Sequence, residues 1–187
     1  HFVRDLMMGW GVPEMLDYSS YFKLTEAADL SAAAQHRIRT IEPFFYHRPA
    51  ATGKGDFAGG AWNNNIKKLT DWLDGGDAFV LGIPVFKSFA EYKPSATLTD
   101  VRDVIYGIKK IKDDEFQGFQ MVTVIGHLKS VQAFKIVNSW GDEWGVHPYY
   151  GATSGAGSEL TPRGYAWVSY DFVRKYAVEA WRIYDRL

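Results

Sequence analysis

Asn138-Ser139-Trp140-Gly141-Asp142-Glu143-Trp144-Gly145 holds two Trp-Gly pairs four residues apart. Such pairs point to a tight turn, in which the glycines take backbone conformations closed to other residues and the indoles pack beside them. That reading leaves the asparagine at the head of the stretch unexplained. Asn138 closes residues 132–138 (QAFKIVN), whose apolar and β-branched content predicts a strand. Residues 119–126 (FQMVTVIG) predict a second strand, joined to the first by a turn over 127–131. Downstream, 146–163 is rich in glycine, serine and threonine and reads as a long loop. Residues 165–170 then read as a strand, Asp171 as the cap of a short helix through Tyr176, and 178–184 as a closing strand.

Working upstream, residues 78–86 (AFVLGIPVF) form a nearly continuous apolar run, which fits a strand buried on both faces. Pro84 within it favours an edge or a bulge. Before Gly75-Gly76, the spacing of Ile66, Leu69 and Leu73 predicts a helix with a cap among Asn63, Asn64 and Asn65. Residues 49–60 read as a glycine-rich loop and 38–46 as a strand. Helices are expected at 2–8 and, capped by Thr25, to about Arg37. The mixed charges from Lys109 to Glu115 read as a solvated face or turn. Helices first and antiparallel strands after argue an α+β fold, divided into a helical part over 1–74 and a strand-rich part over 75–187.

Composition limits the function classes. The 187 residues are 47% hydrophobic and include seven Trp, eleven Tyr and twelve Phe, enough large side chains for a packed core. Lys plus Arg (21) nearly balances Asp plus Glu (22), so there is no basic field for nucleic acid. No run approaches the roughly 20 apolar residues of a membrane span. The chain has no cysteine, which excludes disulfides, thiolate metal sites and a thiol nucleophile on these residues. No histidine pair has metal-ligand spacing with a carboxylate, and Gly53-Lys54-Gly55 lacks the pattern of a phosphate loop, so neither metal nor cofactor is expected.

The sequence resembles the papain-like cysteine peptidases. In that family a strand with the catalytic His is followed by a turn, a strand ending in Asn-Ser-Trp-Gly, a second Trp-Gly and a Gly-Tyr strand. Here these are matched by Ala133 to Gly141, by Trp144-Gly145 and by Gly164-Tyr165-Ala166-Trp167 onward. Residues 75–86 are similar to the family's G-x-P-V segment, and Gly11-Val12-Pro13-Glu14 to one that follows its central helices. The resemblance implies a papain-like α+β fold, with the strand-rich right half, part of the helical left half, and the N-terminal segment absent.

That family's chemistry needs a thiolate beside an imidazole, an Asn that orients the ring, and an oxyanion-hole Gln. The resemblance gives Asn138 the orienting role. Counting back from Gly126 puts Gln120 at the histidine position, and a carboxamide cannot take and return a proton at neutral pH. The resemblance places the Cys and the oxyanion Gln upstream of His1. His127 falls seven residues beyond Gln120, more than about 20 Å along an extended strand at roughly 3.3 Å per residue, so it cannot replace the base. His147, in the loop, is a candidate replacement base weighed against a plain surface histidine. His36 and His47 read as surface or capping residues.

Two functional readings stay open. One is an inactive papain-like module serving as a structural or protein-binding component of an assembly, with Ser139, Trp140, Gly141, Trp144 and Gly145 kept for the fold. The other is an active cysteine endopeptidase whose Cys lies on a separate or missing N-terminal segment. A third, lesser reading is a groove that still binds extended peptide. The apolar surface left by the missing segment implies a protein partner, a companion segment or a homo-oligomer contact. His147, Tyr149 and Tyr150, at the start of the long loop, are candidate partner contacts. The compartment stays open, with an extracellular or exported one favoured.

Overall fold

The structure, a computed structural model, describes residues 40–46, 66–93, 101–107, 115–141, 143–146 and 164–184. The helices expected at 2–8 and 25–37, the loops at 49–60 and 147–163, the Asn63–Asn65 cap and the charges at 109–114 lie outside these residues. In chain order the elements are β1 (Thr40–Tyr46), α1 (Ile66–Asp74), β2 (Phe79–Phe86), α2 (Lys87–Ala90), β3 (Ile105–Tyr106), β4 (Phe116–Leu128), β5 (Ala133–Val137), β6 (Tyr165–Ser169), α3 (Tyr170–Tyr176) and β7 (Glu179–Tyr184). Short 3-10 turns, Val101–Val104 and Lys129–Val131, precede β3 and join β4 to β5. The strands form one sheet in the order β1-β7-β2-β4-β5-β6-β3.

Sequence chemistry accounts for most of these elements. α1 buries Ile66, Leu69 and Trp72 on one face. It stops where expected: Gly76 takes φ +88°, and the N–H groups of Gly76 and Asp77 donate to Leu73 O (3.0 Å) and Trp72 O (2.9 Å). This 5→2 and 6→1 pair satisfies carbonyls that the helix end leaves open. β1 carries Pro43, which has no N–H to donate, and lies at the sheet edge.

β2 is covered on both faces, as its apolar run implies: Leu81 and Ile83 are fully buried, and Gly82 and Pro84 are buried with them. Pro84 does not mark an edge, because β2 runs between β7 and β4. The register instead shifts one residue beyond it, between Val85 and Phe86, where Gln117 is the extra residue on β4.

β4 is longer than the sequence reading allows. It takes in His127 and Leu128, which were expected in the turn. α2, β3 and the Val101–Val104 turn were not anticipated, being too short for periodicity to register. β2, β4, β5 and β6 pair antiparallel, but β3 joins β6 in parallel, so the sheet is mixed. Asp171 is not the cap of α3. Ser169 holds that position, its Oγ accepting the Phe172 N–H at 3.0 Å, while Asp171 sits in the first turn and pairs with Arg174.

Chain packing defines two units, Pro43–Trp181, and 1–42 with 182–187. In the first, Phe79, Leu81, Ile83, Val122, Val124, Phe134, Ile136, Val168 and Phe172 share one core. Its aromatic rings meet edge to face or tilted, Phe79 against Phe134 at 6.0 Å and Phe134 against Tyr170 at 4.5 Å. Within the second, the Tyr184 hydroxyl donates to Glu42 (2.7 Å) and the Arg182 guanidinium lies over the Tyr184 ring at 4.4 Å.

Candidate functional site

β5 ends where Asn138 leaves the ladder, and β4 runs beside it. Asn138 is 7% exposed. Its backbone N–H donates to Gly164 O at 2.9 Å, which pins the chain as it turns away from the sheet. Its side-chain Oδ1 accepts the Ser139 N–H at 2.8 Å and the Gln120 Nε2–H at 3.0 Å. Because Oδ1 already accepts a backbone donor, the Gln120 atom facing it must be nitrogen. The same Nε2 donates to Ser139 Oγ at 3.2 Å. Asn138 Nδ2 is buried and has no hydrogen-bond partner among the described residues. Gln120 and Asn138 thus meet, and Ser139 adds a second acceptor for the Gln120 amide.

The Trp-Gly pairs build the turn around this site. Trp144 is buried against Phe89 (5.1 Å), and its Nε1–H donates to Phe89 O at 2.9 Å. Trp140 meets Trp144 edge to face at 5.4 Å. Gly145 has φ +82°, and a Cβ there would lie 2.1 Å from Tyr165 O, so only glycine fits. Gly141 also has a positive φ, +83°, but open space around it. After Gly145, Val146 N–H reaches Tyr165 O at 2.7 Å and returns the chain to β6. The motif is therefore accounted for by folding, apart from Asn138, whose side chain faces Gln120.

An open depression of about 370 Å³ is lined by Val85, Ala90, Gln117, Gly118, Phe119 and Trp140. On the outer face of β4, Phe119, Met121 and Ile125 are 48%, 41% and 42% exposed. They alternate with Val122 and Val124, which point into the core.

His127 does not approach the Gln120 site. A register shift between Val124 and Gly126 places Ile125 and Gly126 together opposite Lys135, so His127 turns inward beside Phe134. Simple alternation would have sent it outward. Its Nδ1 meets the Tyr170 hydroxyl at 2.8 Å and its Nε2 meets Asp74 Oδ1 at 2.8 Å, while Lys129 Nζ donates to Asp74 Oδ2 at 2.9 Å. Lys129 and then His127 hold the Asp74 carboxyl below its ordinary range. Burial, aided by the Asp74 charge, pushes the Tyr170 hydroxyl up to about 12. Burial also lowers the Lys135 amine, whose Nζ lies over the Tyr165 and Trp167 rings. No local pattern signals the His127 cluster, which joins residues up to 96 positions apart, since Asp74 and Tyr170 come together only in the fold.

His147, Tyr149 and Tyr150 lie outside the described residues, as do His36 and His47. Among the described residues, no group of three or more His, Cys, Asp or Glu could hold a metal ion, and no helix is long and apolar enough to cross a membrane.

Chemically, Gln120 and Asn138 form a donor-acceptor pair with no titratable member. The Gln120 amide reproduces the N–H that an imidazole would offer to an asparagine oxygen, but it has no nitrogen that exchanges a proton near neutrality.

No family model matches the chain, and no curated protein matches its sequence. Among solved structures it is similar to xylellain, a cysteine protease from Xylella fastidiosa, with a TM-score of 0.58 and 16% identity over 98% of this chain. The chain spans 60% of the length of xylellain. PepW of Lactobacillus rhamnosis matches 64% of this chain and 26% of its own at 15% identity, with a TM-score of 0.32. The likeness to xylellain is one of fold: a mixed sheet with few helices, resembling part of the papain-like peptidase fold, in a chain without cysteine.

Proposed function

We propose that the chain is a catalytically inactive papain-like peptidase homologue that serves as a structural or protein-binding component of an assembly. One observation carries this reading. Gln120 donates to Asn138 at 3.0 Å in the place where, by the resemblance, a peptidase holds its imidazole, and none of the 187 residues is a cysteine. The nucleophile of that chemistry is not among these 187 residues, and Gln120, at the position the resemblance gives the base, cannot exchange a proton near neutrality. The test is peptide hydrolysis by the protein, alone and with whatever polypeptide copurifies with it. No hydrolysis is expected. Turnover abolished by thiol alkylation would overturn the proposal.

That outcome would establish the second reading, a cysteine endopeptidase whose nucleophile lies on another segment. A protein partner, a companion segment or a second copy of the chain belongs to the same proposal. Native mass measurement is expected to give more than the mass of one chain, and a monomer at working concentration would count against a partner. An exported or extracellular setting belongs to the same proposal, and fractionation of the source cells tests it.

A further inference from the structure

We draw no further inference here: the strongest candidate, the exposed apolar strip of Phe119, Met121 and Ile125 on the outer face of β4, is a sheet face for which nothing in the structure shows what covers it.

Discussion

At Gln120 the chemistry is that of an amide, which does not exchange a proton near neutrality. That amide donates to Asn138 Oδ1 at 3.0 Å. Gln120→His is expected to fold within about 1 kcal/mol of the parent, since Nε2–H of the ring can take over the bond to Oδ1. Peptide hydrolysis should remain absent, because an imidazole without a thiol has nothing to activate. A urea midpoint at unchanged slope, with a peptide assay, checks both halves; turnover by the variant chain alone would contradict the second. The two turn glycines separate space from backbone strain. Gly145→Ala puts a methyl against Tyr165 O and should cost about 3 kcal/mol or more. Gly141→Ala meets open space and carries only the left-handed backbone cost of about 1–2 kcal/mol. Equal midpoint shifts for the two would show that the Tyr165 contact is not what matters. Asn138 was legible from the sequence because a strand ending in Asn before Trp-Gly is local information. The burial of its Nδ2 was not, because burial depends on what packs around it.

Among the elements, α3 shows how a near-miss arises. Ser169 and Asp171 are both good capping residues two positions apart, and only the direction in which β6 enters the helix selects the serine. Ser169→Ala should therefore lower stability by about 1 kcal/mol, whereas Asp171→Ala should cost less, its pair with Arg174 being exposed. Equal denaturation midpoints for Ser169→Ala and the parent would remove the capping assignment. β2 was readable as a doubly covered strand because eight residues of apolar sequence have few other uses in a globular chain. Its place beside β4 and β7 was not readable, and that place overrode the edge preference of Pro84. The bulge at Val124/Gly126 was equally hidden. It inserts one residue, reverses the alternation, and brings His127 to the core side of β4.

For the molecule as a whole, the Asp74, His127 and Tyr170 cluster ties α1, β4 and α3 together and should shape stability against pH. Lys129 and His127 hold the folded Asp74 carboxyl below its ordinary value near 3.8, so the stability this adds is present above that value and lost as pH falls through the folded one. Asp74→Asn should flatten the acid limb of a plot of urea midpoint against pH; an unchanged acid limb would show that Asp74 is not its source. Tyr170 works in the opposite range. Its folded value of about 12 lies above the ordinary 10, so its contribution is complete below 10 and is lost as pH rises toward 12. Tyr170→Phe should flatten that alkaline limb, as followed by circular dichroism.

By itself the sequence determined the strand-rich character of residues 75–184, the buried run of β2 and the stop of α1, because apolar periodicity and turn glycines act over a few residues. It also determined the chemistry that the chain lacks, since no fold can supply a thiol from residues without sulfhydryl groups. Only the tertiary structure decided the parallel pairing of β3, the inward turn of His127 and the choice of Ser169 over Asp171. Each depends on contacts between segments distant in the chain, and strand register and burial exist only once those segments have packed.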